Sequence, residues 1–236
     1  MSLRVLSIDS ASTLCSVAVS GFEQDFQVIS KPGEKHTEVI LGMIESALKT
    51  AQGTLGNLDA IVFGAGPGAF TGLRVACGIA QGLGWALEKP LIAVENLYAI
   101  ADRALKNPEN GTKILVSVDA RMSECYSAVY EKDGTQLRQL SDTTLLKPED
   151  LITVAQKHQV HCVVGNAFEV YSVEIPSSIQ WISDIPVADA SMLIPRATQL
   201  YKENKTLRAE EASPIYIRNH VAMTIDERKK ASSEAK

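Results

Sequence analysis

Two aspartates, one in each half of the sequence, are the first residues that could do chemistry. Asp9 and Asp119 each close an apolar, strand-like segment. Two carboxylates that face each other across a cleft can hold a nucleotide-bound magnesium ion or activate water. The residues that follow them, 10–12 (Ser-Ala-Ser) and 120–122 (Ala-Arg-Met), include no glycine to let a phosphate approach the backbone closely. Aspartates at strand ends are also common turn formers and helix caps, and we favour that structural interpretation.

A glycine-rich segment at residues 64–74 (Gly-Ala-Gly-Pro-Gly-Ala-Phe-Thr-Gly-Leu-Arg) follows a predicted strand and opens a predicted helix. The N–H groups around Gly66, Gly68 and Thr71, together with the helix dipole, could bind the phosphates of a nucleotide. The segment is not a Walker loop, because no Gly-Lys-Ser/Thr follows, and Ala69 replaces the third glycine of the dinucleotide fingerprint. The alternative is a tight strand-to-helix turn that needs glycine for backbone reasons. Both interpretations remain open from the sequence.

Histidines and cysteines give no support for metal or nucleophilic catalysis. His36 lies near the start of a predicted helix, but Val39 and Ile40 occupy the positions where a second histidine ligand would fall. The four cysteines stand far apart without a Cys-x-x-Cys pair, which is typical of reduced thiols in a cytoplasmic protein. The sequence therefore predicts no metal site and no catalytic residue.

Two predicted helices, 34–52 and 71–88, carry the residues that could dock a partner. The second helix has two rows of small side chains at helical spacing, which are Ala76, Ala80 and Gly84 in one row and Gly78, Gly82 and Ala86 in the other. Glycine in mid-helix costs roughly 1 kcal/mol relative to alanine, so several glycines need a compensating close contact. That contact comes either from helix 34–52 of the same chain or from a second subunit, and periodicity leaves both open.

The first half of the sequence recurs in the second half at an offset of 110 residues. The matched pairs are Ser7 and Ser117, Asp9 and Asp119, Cys15 and Cys125, Ala18 and Ala128, and Val19 and Val129. The order of predicted elements, strand-strand-strand-helix-strand, is the same in both halves, which indicates duplication. We therefore predict an N-terminal α/β lobe over residues 1–107, a C-terminal lobe over 108–218 and a charged, partly disordered tail over 219–236.

Composition limits the classes of partner. The 236-residue chain carries a net charge of −5, and its one notable basic cluster is Arg-Lys-Lys at 228–230. Proteins that grip nucleic acid alone usually present a positive surface, so any RNA contact is expected to need another subunit. No segment approaches the roughly 20 apolar residues of a membrane-spanning helix, and no signal peptide is recognisable. We predict a cytoplasmic protein.

Several segments resemble the TsaB (YeaZ) family. They are Asp9, His-Thr-Glu at 36–38, Gly-Pro-Gly-Ala-Phe-Thr-Gly-Leu-Arg at 66–74, Gly-Ile-Ala-Gln-Gly at 78–82, Asp-Ala-Arg at 119–121 and Pro-Ile-Tyr-Ile-Arg at 214–218. The 66–74 segment is highly specific, and the resemblance runs in order from Leu3 to about Arg218.

The resemblance implies a fold and a role. The fold is two tandem RNase H-like lobes of the actin-like ATPase (ASKHA) superfamily, each with a mixed five-stranded sheet and flanking helices. The role is that of a non-catalytic subunit that partners TsaD, with TsaE, in placing threonylcarbamoyl on the tRNA adenosine next to the anticodon (t6A). Such a chain forms a homodimer when alone and meets tRNA only within the complex. ATP or ADP is expected at the interface with TsaD rather than bound tightly by this chain.

The resemblance also implies a subunit interface on helices 34–52 and 71–88. The residues assigned to it are His36, Ile40, Met43, Ala47, Arg74, Ala76, Gly78, Ala80 and Gly82. Residues Asp9, Gly66, Gly68, Thr71 and Asp119 would be the vestige of a nucleotide site. Two enzyme functions stay as alternatives: a small-molecule kinase of the actin-like fold that uses Asp9 and Asp119, and a glycoprotease-like metallopeptidase.

Overall fold

The computed structural model describes residues 2–218. The predicted tail at 219–236 and the basic cluster at 228–230 lie outside the described residues. The strands are β1 Val5–Asp9, β2 Ser16–Ser20, β3 Phe26–Ile29, β4 Ala60–Gly66, β5 Leu91–Glu95, β6 Lys113–Asp119, β7 Cys125–Asp133, β8 Gln136–Gln139, β9 Thr144–Leu146, β10 Cys162–Val164 and β11 Gln180–Ile182. The helices are α1 His36–Thr50, α2 Phe70–Leu87, α3 Asn96–Ala104, α4 Leu151–Lys157, α5 Ala167–Val170 and α6 Ala190–Lys202.

Two mixed sheets form the framework, and their strands follow the same order. The first sheet runs β3-β2-β1-β4-β5, and the second runs β8-β7-β6-β10-β11. In both, two antiparallel hairpin connections are followed by strands that pair in parallel through helical crossovers. This shared topology confirms the predicted pair of α/β lobes.

The second sheet has six strands, so the prediction of five was wrong. β7 spans nine residues and is longer than its neighbour β8. β8 pairs with the last residues of β7, and β9 pairs with Cys125–Ser127 at its beginning. The long strand β7 therefore pairs with both β8 and β9 along one of its edges. In the same half, a 3₁₀ turn at Pro148–Asp150 leads directly into α4.

Each sheet is covered on its outer face by helices from its own half. α1 and α2 bury Ile40, Ala47 and Ala76 against β1, β2 and β4. In the second half, α4 and α5 bury Leu151 and Phe168 against β6, β7 and β10. Successive side chains of a strand point to opposite faces of the sheet, so every second apolar residue of these strands lies on the inner face instead.

The inner faces are covered by helices that belong to the other half of the chain. α3 follows the first sheet, but its Leu97 and Ile100 pack with β6 and β7 of the second. α6 follows the second sheet, but its Leu193 and Ala197 pack with Val62 and other residues of the first. Within the predicted C-terminal lobe, 108–218, α6 is thus the helix that packs on the N-terminal sheet. The chain that follows α6 also returns to the first sheet, where Leu207 forms an isolated β-bridge with Leu91.

The strand pairing in the two hairpins shows that the predicted match of residues 110 apart does not hold throughout the repeat. Asp9 pairs with Ser16 and Asp119 pairs with Cys125, so the connections contain residues 10–15 and 120–124, one residue fewer in the second half. A one-residue slip turns a strand's side chains to the other face of the sheet. Ile8 accordingly lies on the outer face and Val118 on the inner face. Cys15 and Cys125 both lie on outer faces. Residues 110 apart therefore occupy equivalent positions in β2 and β7, but not in β1 and β6.

Candidate functional site

A cleft of about 520 Å³ lies between the two sheets and is the place where the predicted site residues can be examined. Its walls come from the β1–β2 connection, the glycine-rich segment and the start of α2 on one side, and from the β6–β7 connection on the other. Residues 215–218 also line it. Gly68, Thr71 and Asp119 line the cleft, whereas Asp9 and Gly66 do not.

Asp9 is fully buried behind the cleft wall and serves as a structural hydrogen-bond acceptor. The side-chain amide of Asn96, at the start of α3, donates to its Oδ2 at 2.5 Å, and the Ala11 N–H donates to Oδ1 at 3.3 Å. Burial raises the pKa of Asp9 to about 6, and the two hydrogen bonds offset part of that effect. The side-chain oxygen of Asn96, Oδ1, in turn accepts from the Gly66 N–H at 2.8 Å.

The expectation that Asp9 and Asp119 face each other across the cleft was wrong. The slip in hairpin register places them on different faces of their sheets. Asp119 accepts hydrogen bonds through Oδ1 from the Arg121 N–H and from the Tyr171 hydroxyl, both at 2.7 Å. Asp119 thus lies at the edge of the cleft with its carboxylate engaged in supporting the β6–β7 connection, and the two carboxylates do not form a common magnesium site.

Three glycines of the 64–74 segment are required by close contacts within the chain. A Cβ at Gly72 would lie 1.8 Å from the Ser10 carbonyl oxygen, and one at Gly68 would lie 2.5 Å from the Ala11 carbonyl oxygen. A Cβ at Gly64 would lie 2.0 Å from the Asp9 carboxylate.

The same β1–β2 connection uses the hydrogen-bonding groups of the α2 start. The Ala69 N–H donates to the Ala11 carbonyl at 2.7 Å, and the Ser10 hydroxyl donates to the Gly72 carbonyl at 2.7 Å. Of the two interpretations of the glycine-rich segment, these contacts favour the packing role over the phosphate cradle.

Five of the residues assigned to a subunit interface lie in the core of their own lobe, which corrects that assignment. Ile40, Met43, Ala47, Ala76 and Ala80 are buried with β1, β2 and β4 in the isolated chain. Their side chains stabilise the outer layer of the first sheet.

Other members of the assigned set face outward. Arg74, Gly78 and Gly82 are exposed along α2, and His36 is half-buried with its Nε2 3.3 Å from the Thr13 carbonyl oxygen. Within the described part of the chain, a Cβ at Gly78 or Gly82 would meet nothing within 4 Å. Close packing against α1 therefore does not account for this glycine row.

The exposed face of α2 is almost without charge. Over Phe70–Leu87 the single charged side chain is Arg74, and Trp85 near the end of the helix is 73% exposed. On neighbouring α1, Leu41 is 62% exposed, and Gly42 has open space around it. Neither Trp85 nor Leu41 was singled out from the sequence, although Trp85 follows Gly78 by seven residues and so shares its face of α2. We call Leu41, Gly42, Gly78, Gly82 and Trp85 the outer α1/α2 face.

At the mouth of the cleft, Arg74 joins α2 to the final described segment. Its guanidinium carbon lies 3.9 Å from the centre of the Phe70 ring, and its Nε donates to the Tyr216 hydroxyl at 3.1 Å. The Phe70 and Tyr216 rings are 5.4 Å apart. Neither Phe70 nor Tyr216 was singled out from the sequence as a site residue.

The duplicated topology, the crossed helices α3 and α6 and the cleft between the sheets define a two-lobed α/β protein built on a repeated unit. Among the residues that the structure describes, no helix is both long and apolar enough to cross a membrane. Nor does the described part contain a group of three or more His, Cys, Asp or Glu residues placed to hold a metal ion.

Comparison with known proteins narrows this class. The family model described as TsaD, tRNA N6-adenosine threonylcarbamoyltransferase, matches residues 30–225. The chain is 35% identical to the tRNA threonylcarbamoyladenosine biosynthesis protein TsaB of Escherichia coli K12, over 93% of this chain and 96% of that protein. It is 34% identical to TsaB of Haemophilus influenzae, over 93% and 95% of the two chains.

Solved structures agree with these relatives. YeaZ from Pseudomonas aeruginosa superposes with a TM-score of 0.76 and 27% identity, covering 91% of this chain and all of that chain. A second Pseudomonas aeruginosa structure, described as an uncharacterized protein similar to peptidase YEAZ, gives a TM-score of 0.81 at 28% identity, over 92% and 100% of the chains. The chain belongs to the TsaB (YeaZ) family of tRNA threonylcarbamoyladenosine biosynthesis proteins.

Proposed function

We propose that this chain is a non-catalytic subunit that partners TsaD, with TsaE, in threonylcarbamoyl transfer to the tRNA adenosine next to the anticodon, and that it acts in the cytoplasm. Without TsaD it forms a homodimer through the same face. It contacts tRNA only within the complex. It binds no nucleotide tightly by itself, and ATP or ADP binds at the interface with TsaD.

The observation that carries the docking role is the outer α1/α2 face. Gly78 and Gly82 leave a shallow groove along α2 with open space above it, and Trp85 stands exposed at one end. Glycines in mid-helix reduce stability, and no contact from residues 2–218 offsets that cost at these two positions. Close approach of a partner's helix would supply the missing contact, with Trp85 as an aromatic anchor of the kind that often dominates binding energy.

Support for the absence of catalysis comes from the site geometry. Asp9, the residue best placed by sequence to hold a magnesium ion, is buried and bonded to Asn96. The carbonyl oxygens of Ser10 and Ala11 occupy the space beside Gly72 and Gly68 where a phosphate would need to approach. Neither alternative enzyme function, kinase or metallopeptidase, is favoured by a contact on this chain.

The docking role is tested by Gly82→Leu, which fills the groove on α2. Binding to purified TsaD, measured by calorimetry, is expected to weaken by about tenfold or more, because an unrelieved clash inside an interface costs at least the ~1.4 kcal/mol of one decade. Trp85→Ala is expected to weaken it to a similar degree. Gln156→Leu is the matched control, because it places the same side chain on an exposed position of α4.

The wider role is tested by reconstituting the modification with TsaD and TsaE. Modified adenosine in tRNA, quantified by mass spectrometry, is expected to depend on this chain and to fall with Gly82→Leu but not with Gln156→Leu. Full activity of TsaD without this chain would contradict the scaffold role. Brisk ATP hydrolysis by the purified chain alone would contradict the absence of catalysis.

A further inference from the structure

The segment 214–218 crosses the cleft, and its first part is fastened to the N-terminal sheet. The Ile215 N–H donates to the Ala65 carbonyl at 2.7 Å. The Ile215 carbonyl oxygen lies close enough to Gly66 that a Cβ there would be 2.9 Å away. Tyr216 stacks near Phe70 and accepts the hydrogen bond from Arg74. This end of the segment is therefore held by both backbone and side-chain contacts.

The other end is fastened to the C-terminal sheet. Ile217 packs against the core between α3 and the second sheet. The Arg218 guanidinium donates to the carbonyl oxygens of Ala120 and Arg121, at 3.2 and 3.5 Å, and pairs with the Glu124 carboxylate. The Arg218 guanidinium also lies 3.4 Å from the Met122 Sδ, so a single arginine contacts four groups of the β6–β7 connection.

That connection has an unusual backbone. Arg121, Met122 and Ser123 have φ values of 61°, 56° and 55°, so three successive residues other than glycine adopt the left-handed conformation. Such residues visit this region singly and rarely in succession. Strained backbone persists where surrounding contacts determine it, and the contacts here come from Asp119, Tyr171 and Arg218.

We propose that residues 214–218 are a strap across the cleft that joins the two sheets and holds the 120–124 connection in its left-handed turn. Release of either end loosens the other, because the strap is short and each end is fixed to a different sheet. A ligand that enters the cleft displaces the strap, and a contact that moves Arg74 or Tyr216 is transmitted to the turn. The proposal concerns the free chain and does not depend on the docking role of the outer α1/α2 face.

Amide hydrogen exchange in the full chain, resolved by NMR, tests the strap. The Arg121 and Glu124 amides are protected by hydrogen bonds within the turn. Arg218→Ala is expected to speed their exchange by about tenfold or more, because hydrogen bonds to a charged group are worth at least one decade in an equilibrium constant. Tyr216→Ala, which loosens the opposite end, is expected to speed exchange at the same amides. Exchange in β7 should stay unchanged.

The matched control is Arg208→Ala, which removes an arginine paired with Glu210 and Glu211 on the surface, away from the cleft. It is expected to leave the Arg121 and Glu124 amides unaffected. Unchanged exchange in Arg218→Ala would show that the turn holds itself and would overturn the proposal. Tyr216→Ala affecting only residues 214–218 would show that the ends act separately, and faster exchange throughout β7 would show a general loss of fold; both also overturn it.

Discussion

At the scale of single residues, Asp9 shows how a group suited to chemistry can be used for structure. Its carboxylate is fully buried, bonded to Asn96 and the Ala11 amide, and it lies near the negative charge of Asp189. Burial is the main reason that its pKa rises to about 6. A carboxyl group with a raised pKa in the folded state destabilises the fold once it ionises.

The sign of this effect gives a prediction for Asp9→Asn. Below the unfolded pKa of about 3.9, Asp9 is protonated in both states and the folded chain bears no ionisation penalty. As pH rises toward the folded pKa of about 6, the unfolded state loses its proton first and stability falls. The variant cannot ionise. Its free energy of unfolding, minus that of the wild type, should therefore rise by about 2–3 kcal/mol from about pH 4 to pH 7.

Chemical denaturation across this pH range measures the difference. Asparagine loses one acceptor, so the two curves are also expected to differ by an amount that does not change with pH. Curves that run parallel would contradict a raised pKa at Asp9.

At the scale of elements, one face of α2 has no room for a side chain larger than glycine, whereas another face leaves room for one. Gly72 faces the β1–β2 connection, where a methyl group would meet the Ser10 carbonyl at 1.8 Å. Gly78 faces open space. The same substitution at these two positions of one helix therefore separates packing from intrinsic helix propensity.

Gly72→Ala and Gly78→Ala are expected to change stability in opposite directions. Overpacking at Gly72 should lower the free energy of unfolding by about 1–3 kcal/mol. At Gly78, replacement of a mid-helix glycine by alanine should raise it by about 0.5–1 kcal/mol. Urea denaturation measures both, and a stabilised Gly72→Ala would show that the β1–β2 connection can move away from α2.

The sequence predicted the existence of α2 and the periodicity of its two rows, but not which row faces inward. Both rows consist of small residues, so hydropathy does not distinguish Ala80, which is fully buried, from Gly82, which is exposed. For this reason Ala80→Trp tests the lobe core, whereas Gly82→Leu tests docking.

The internal repeat could likewise be predicted only in part from the sequence. Identities at one offset identified the duplicated order of strands, but a connection shorter by one residue reversed the facing of Asp119, and only backbone pairing reveals this. Asn96, which fixes Asp9, carries no sequence signal, because its role exists only once α3 lies beside β1.

At the scale of the whole molecule, the exchange of α3 and α6 between sheets joins the lobes into one cooperative unit. Leu193 of α6 is fully buried against the first sheet, although it follows the second in sequence. Removing its side chain should therefore weaken both lobes together. Leu-to-Ala changes in cores typically cost about 2–5 kcal/mol.

Trp85 and Trp181 lie in different lobes, so each can report on its own lobe. Single-tryptophan variants, with and without Leu193→Ala, are expected to unfold at coincident urea midpoints, and both midpoints should shift by the same amount. Two separate midpoints, with only that of Trp85 lowered by Leu193→Ala, would show that the lobes unfold independently.

The crossing of these helices also sets the order in which a newly made chain can mature. When β5 leaves the ribosome, the inner face of the first sheet lacks its cover, which arrives only after about 107 more residues, from Glu95 to Lys202. At about 5–20 residues per second that interval lasts roughly 5–20 s. During translation the nascent polypeptide therefore presents Val5, Val62 and Val94 to solvent, and this apolar stripe is open to aggregation until α6 covers it.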